Sequence, residues 1–172
     1  GDMGFLISGA KTGIVFNNCV AYDMDEYGFY LQDAVGAVVY NCIANNIKTN
    51  AGFSGYSTIT NLTLRNCAAS DCYEECFHVL VNGGEFATVT NNLWYGAVST
   101  SWPTGATDKQ NIDPMFVDPV NYNFCLQPRS PCINAGVNVG LTTDYEGKAV
   151  PQGGAPDIGA YEYNSSGAWF GF

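Results

Sequence analysis

Asn18-Cys19-Val20-Ala21, Asn41-Cys42-Ile43-Ala44 and Asn66-Cys67-Ala68-Ala69 are three copies of one phrase, and Asn92-Leu93-Trp94-Tyr95 is a degenerate fourth. A second phrase keeps stricter time: Gly4-Phe5, Gly28-Phe29, Gly52-Phe53 and Cys76-Phe77 follow one another at 24 residues. Self-similarity at a fixed period of this size marks a stacked repeat. Set to the second phrase, residues 4 to 99 divide into four coils, Gly4 to Tyr27, Gly28 to Ala51, Gly52 to Glu75 and Cys76 to about Ser99. Asp23, Asn46 and Asp71 then coincide, as do Met24, Ile47 and Cys72.

Coil length selects the architecture. Within each coil short alternating runs such as Ile14-Val15-Phe16 and Asn61-Leu62-Thr63-Leu64 are separated by Asn, Asp and Gly. Such runs suit strands of three to five residues and are too short for helices. Two-helix repeats are longer, and a leucine ladder is missing. The fold predicted is all-β, a right-handed parallel β-helix of about four coils with a non-repeating C-terminal capping segment.

In such a stack equivalent residues form ladders about 4.8 Å apart. An Asn ladder (Asn18, Asn41, Asn66, Asn92) can link its amides from coil to coil, and a Phe ladder (Phe5, Phe29, Phe53, Phe77) can stack offset. For the strand before each Asn, either Val15, Val38, Thr63 and Val89 or Phe16, Val39, Leu64 and Thr90 point inward. The second set is preferred because Arg65 then faces out.

Composition narrows the partners. The 172 residues fit one domain, and 6 Lys and Arg against 16 Asp and Glu give a net charge of -10. A chain this acidic repels phosphate backbones, so nucleic acid is not expected. No run reaches the roughly 18 apolar residues of a membrane span. The first residue is Gly1, so the chain is expected to be processed or cut from something longer.

From Trp102 to Asp113 the pattern dissolves into a loop rich in Pro, Gly, Thr, Asp and Asn. Four further stretches do not repeat: Asn111-Ile-Asp-Pro-Met-Phe-Val-Asp-Pro119, Asn123-Phe-Cys-Leu-Gln-Pro-Arg-Ser-Pro-Cys-Ile-Asn-Ala-Gly136, Asp144-Tyr-Glu-Gly147 and Pro156-Asp-Ile-Gly-Ala-Tyr-Glu-Tyr163. This part resembles the closing segment of secreted bacterial right-handed parallel β-helix proteins of the pectate-lyase-like superfamily. The resemblance covers roughly residues 4 to 163 and implies an extracellular or cell-surface location. The group spans enzymes, adhesins and members without assigned activity. The organisation expected is coils over 1–100, loop and capping segment over 101–163, and an apolar tail over 164–172.

Each candidate site has a structural alternative. The ladder Cys19, Cys42 and Cys67 reads as buried, reduced filling, since parallel side chains at 4.8 Å exceed disulfide reach and metal ligands must converge. Seven Cys is odd; Cys72 with Cys76, or Cys125 with Cys132, is placed to bridge in an oxidising compartment, with free thiols as the alternative. Asp23, Asp25, Asp71 and Glu74 offer oxygen donors to Ca²⁺, against the blander account of a solvated acidic face. No other cofactor is expected. A β-helix lyase needs a base and a charge to stabilise the carbanion, and a hydrolase needs paired carboxylates. Arg65 and His78 are the best bases in the coils and neither has an evident partner, so catalysis is disfavoured.

The uncapped first coil and the apolar tail point to contacts between copies through Trp169, Phe170 and Phe172. A contact repeated head to tail gives a fibre. The leading expectation is therefore an extracellular or surface structural module, non-catalytic and self-associating end to end, such as a filament subunit. A polysaccharide lyase or glycoside hydrolase, or its C-terminal fragment, is the alternative. A glycan-binding adhesin is third, with Tyr22, Tyr27, Tyr73 and Trp94 as candidate stacking residues.

Overall fold

A computed structural model describes residues 1–57, 59–80 and 85–164. Trp169, Phe170 and Phe172 lie outside them. The first coil consists of β1 (Met3–Ile7), β2 (Lys11–Thr12), β3 (Val15–Asn17) and β4 (Val20–Tyr22). The second repeats it as β5 (Tyr27–Gln32), β6 (Ala34–Val35), β7 (Val38–Tyr40) and β8 (Ile43–Ile47). In the third, β9 (Ala51–Tyr56), β10 (Thr60–Arg65) and β11 (Ala68–Cys72) suffice, because β10 pairs with both β6 and β7. The fourth holds β12 (Glu75–Leu80), β13 (Glu85–Thr90) and β14 (Leu93–Tyr95). Strands of successive coils pair in parallel, giving three sheets that run the length of the stack. The protein is an all-β parallel solenoid of about four turns.

The registers explain why the two phrases keep different time. In the first sheet Phe5, Phe29, Phe53 and Phe77 are successive partners, a constant step of 24 residues. In the third sheet Val20, Ile43, Ala68 and Leu93 are partners, so the steps are 23, 25 and 25. The fourth rung of the Asn ladder is therefore Asn91, not Asn92. Asn18, Asn41, Asn66 and Asn91 all turn the chain at positive φ (52°, 51°, 57° and 57°), a conformation that Asn tolerates better than most side chains. Asn92 instead continues the Cys column, with its carboxamide oxygen accepting from Cys67 N at 2.9 Å. The same step corrects the inward set of the second sheet to Phe16, Val39, Leu64 and Val89, with Val89 where Thr90 was expected.

The core is built from these columns. The phenyl rings of the Phe ladder stack at 4.7, 4.6 and 5.0 Å, tilted by no more than 11°. Facing them from the third sheet are Ala21, Ala44 and Ala69, small enough to leave room for the rings, and then Trp94. A Cβ added at Gly28 would meet the Gly52 carbonyl at 2.6 Å, so the residue before Phe5, Phe29 and Phe53 is held to glycine by the next rung, while the fourth rung carries Cys76 there. Trp102 is buried against Phe77 at 5.0 Å, while Val98 bridges Phe77 in parallel. Asp108 ties this loop down by accepting from Asn92 N and Gly105 N. The stretch predicted as a departing loop thus covers the end of the fourth coil.

The closing segment adds β15 (Lys109–Gln110), which pairs with β14, then β16 (Phe116–Asp118), a 3-10 turn over Pro119–Asn121 and β17 (Asn123–Leu126). It lies along the flank of the stack instead of over its end. Outward residues Ile43, Ala68 and Leu93 of the third sheet form a second core with Phe116, Phe124, Leu126, Ile158 and Tyr161. Every Asn of the ladder donates its amide to a carbonyl of this segment: Asn18 to Thr143, Asn41 to Asp157 and Gly159, Asn66 to Val137, Asn91 to Ala135. Only Asn66 and Asn41 also join amide to amide, at 3.1 Å.

Three buried carboxylates hold the segment's own backbone. Asp157 accepts from Asn134 N and Tyr163 N, Glu162 from Asp157 N and Gln152 N, and Asp144 from Glu146 N, Lys148 N and Glu162 N. Burial pushes the Asp157 and Glu162 carboxyls above their ordinary values of 3.8 and 4.5, against the pull of those backbone donors. Between the ordinary and the raised values the native state binds more protons than the unfolded chain, so stability falls as pH rises through that window. Thermal unfolding followed by circular dichroism should accordingly show a higher Tm just above the ordinary carboxylate range than at neutral pH. A Tm that declines steadily on acidification from neutrality would contradict this.

Candidate functional site

The third residue after each Cys position forms an outward column that the sequence reading passed over. Tyr22, Asn45, Ser70 and Tyr95 are register partners on β4, β8, β11 and β14. Beside them runs Asp23, Asn46 and Asp71, each at positive φ where the chain turns toward the first sheet. The closing segment forms the facing wall with Asp113, Met115, Pro119, Val120, Tyr122 and Gln127. Two clefts result, of ≈ 510 Å³ and ≈ 250 Å³, and they share Asp71 and Pro119 as lining residues. Together they make a groove crossing four rungs, about 14 Å at the usual strand spacing.

The groove combines aromatic faces with hydrogen-bonding groups. Tyr22 and Tyr122 meet at 4.7 Å, and Phe124 supports Tyr22 from below at 5.6 Å. Tyr95 stands at the other end, 47% exposed. Between them the Asn45 amide donates to Ser70 Oγ at 2.9 Å and to Asp71 Oδ2 at 3.0 Å. This fixes the polar groups before anything binds. The carboxyls that burial raises above the usual range are Asp108, Asp157 and Glu162; all accept backbone N–H groups and none lines the groove.

The structure separates the other candidates. Lys48 Nζ lies 3.1 Å from Asp23 Oδ1 and 3.6 Å from Asp25 Oδ1, and the Asp23 carboxylate holds its ammonium above the usual value. Asn46 also donates to Asp23, and Asn45 to Asp71, so the proposed Ca²⁺ donors Asp23, Asp25, Asp71 and Glu74 do not converge. Among the described residues no three His, Cys, Asp or Glu side chains are placed to hold a metal ion. Arg65 is on the second sheet and His78 on the first. Arg65 alternates with the inward Leu64 and so lies on the outer face of β10, half-buried, with its Nε shielded from solvent. His78 does have a partner: its Nδ1 is hydrogen-bonded to the Glu75 carboxylate on the outer face of β12. On the same sheet Tyr27, Tyr30 and Tyr56 form an aromatic patch of mutually tilted rings, with Tyr27 and Tyr30 at 4.6 Å and Tyr30 and Tyr56 at 5.9 Å. Trp94, expected as a stacking residue, is a core residue only 1% exposed.

All seven cysteines are free thiols. Cys42 and Cys67 are fully buried, and Cys19, Cys42 and Cys67 each donate to the carbonyl two residues earlier, across the Asn turn. Burial pushes the Cys42 thiol up, and its hydrogen bond with Cys42 does the same for Cys19. Cys72 is raised by its hydrogen bond with Cys76, which makes these two neighbours across a turn. Cys125 and Cys132 are set apart: Cys125 Sγ faces Glu146 from the strand face opposite Phe124 and Leu126, whereas Cys132 is buried and pushed up to about 12.

Fold and site together define a parallel β-helix whose flank carries a preformed groove. Residues 1–108 match the model of the family described as right handed beta helix region, and the chain belongs to that family. Neither the curated proteins nor the solved structures contain a match to it. No helix among the described residues is long and apolar enough to cross a membrane.

Proposed function

We propose that this chain is an extracellular or cell-surface β-helix module that binds polysaccharide along the flank groove without cleaving it. The observation that carries this is that Tyr22, Tyr95 and Tyr122 line the groove with the exposed Asp71, over a floor fixed by the buried pair Asn45 and Ser70. Sugar rings take aromatic faces for their apolar sides and amide, hydroxyl and carboxylate groups for their hydroxyls. The closing motifs that resemble the pectate-lyase-like superfamily support the location, and they supply the second wall of the groove.

A glycan array on the intact domain tests this. Tyr122, 58% exposed, contributes little to folding, so Tyr122→Ala should weaken binding by about 1 kcal/mol, roughly fivefold, while leaving the circular dichroism spectrum unchanged. Absence of any glycan signal, or binding indifferent to Tyr122→Ala, would count against the groove.

End-to-end self-association is a second reading of the strand edges that β1, β2, β3 and β4 expose. Among the described residues β1, β2, β3 and β4 are terminal strands of their sheets, and Leu6 and Val15 are 56% and 53% exposed. Unpaired strand edges recruit further strands. A second copy or preceding coils of a longer chain would satisfy that edge alike. Sedimentation velocity over a concentration series decides it, since a subunit of a filament gains mass as concentration rises.

A further inference from the structure

The charge of the groove discriminates among polysaccharides. Its lining includes three carboxylates, Asp23, Asp71 and Asp113, and no Lys or Arg among the described residues. Lys48, the ammonium beside Asp23, is already shared between Asp23 and Asp25. Asp71 stands at the junction of the two clefts, exposed, with Oδ2 accepting from the Asn45 amide. Around these carboxylates Tyr22, Tyr95 and Tyr122 offer ring faces, and a cation within about 6 Å of a ring centre is attracted by its quadrupole. A polyuronate laid here would bring its carboxylates against Asp71 and Asp113, and against Asp23, whose charge Lys48 offsets only in part, in a protein of net charge -10. A chain with protonated amines would instead pair with the carboxylates and rest on the rings.

We infer that the occupant of the groove is a polymer of amino sugars carrying free ammonium groups. This rests on the groove being the polysaccharide site. Asp71 provides the charge complement at the centre and the tyrosines grip the ring faces on either side. Asp71→Asn is the informative substitution, because Asn keeps the positive φ of 55° and the acceptor for Asn45 while removing the charge.

Isothermal titration with a glucosamine oligomer, its fully N-acetylated counterpart, an oligogalacturonate and an oligolysine tests the inference on the intact domain. The expected result is binding of the amine oligomer that weakens with added salt and drops about tenfold in Asp71→Asn and severalfold in Tyr122→Ala. The N-acetylated oligomer should bind at least about tenfold more weakly than the amine form, and the oligogalacturonate should not bind. If the neutral or the anionic oligomer binds as well as the amine form and still depends on Tyr122, the charge inference fails while the groove remains a polysaccharide site. If no oligosaccharide binds, both fail. Oligolysine binding as tightly, with the same dependence on Asp71 and Tyr122, would make the partner a basic peptide. Amine binding unaffected by either substitution would place it elsewhere on the acidic surface. Each of these last two outcomes overturns the inference.

Discussion

Asn66→Ala is expected to destabilise the protein by about 3 to 5 kcal/mol, adding the strain of a left-handed alanine to the loss of hydrogen bonds from buried groups. Asn66 is fully buried at the middle of its ladder. Its amide nitrogen donates to Asn41 Oδ1 at 3.1 Å and to the Val137 carbonyl at 2.8 Å, while its Oδ1 accepts from Val137 N at 2.8 Å. Alanine removes all three bonds; the buried Asn41 Oδ1 left unpaired costs about 1 to 3 kcal/mol, whereas the part-buried Val137 groups can turn to water at smaller cost. It must also adopt φ near 57°, which for a residue with a Cβ costs about 1 to 2 kcal/mol. Asn66→Gly separates the two contributions, since glycine accepts the dihedral but restores no bond; it should recover about 1 kcal/mol and no more. The measurement is the denaturant midpoint of both variants, with limited proteolysis across residues 113–163. Midpoints indistinguishable from wild type, with the segment equally protected, would show that the ladder does not fasten the closing segment.

Phe53→Ala should destabilise by about 3 to 5 kcal/mol, the range for truncating a buried aromatic ring. Phe53 has a ring on either side, Phe29 at 4.6 Å and Phe77 at 5.0 Å, and is fully buried. Truncation leaves a void in the middle of the stack and removes two ring contacts at once. Phe5 stacks only on Phe29 along the column and is only half-buried, so Phe5→Ala should cost appreciably less. In a solenoid each coil is stabilised by its nearest neighbours, so an interior rung loses two interfaces where a terminal rung loses one. Equal destabilisation by the two variants, measured by urea unfolding, would mean that the column is not the element coupling the coils.

Much of the stack was legible because rung contacts follow from a nearly constant offset in sequence. Phe5, Phe29, Phe53 and Phe77 could be aligned by counting, and so could Asp23, Asn46 and Asp71. The count failed at Asn92, where a step of 25 residues put Asn91 in the ladder and moved Asn92 into the Cys column. Two adjacent Asn make both assignments look equivalent until the backbone register is known. The floor of the groove was also legible in principle. Tyr22, Asn45, Ser70 and Tyr95 occupy one position of the repeat, but a column of unlike residues does not announce itself as a ladder of identical ones does.

The sequence by itself determined the β-helix: the period sets the coil length, the Gly-Phe phrase sets the stacked core, and the Asn turns set where the chain bends. These are rules between neighbouring rungs, and they act at a fixed spacing along the chain. Only the tertiary structure decided where the non-repeating segment goes. The ladder Asn18, Asn41, Asn66 and Asn91 reaches Thr143, Asp157 with Gly159, Val137 and Ala135, an order that follows no offset. Tyr22 likewise meets Tyr122 across a hundred residues of chain because both flank one buried apolar seam. The groove exists where a periodic wall faces an aperiodic one, and burial of that shared seam, which has no period to read, is what brings the two walls together.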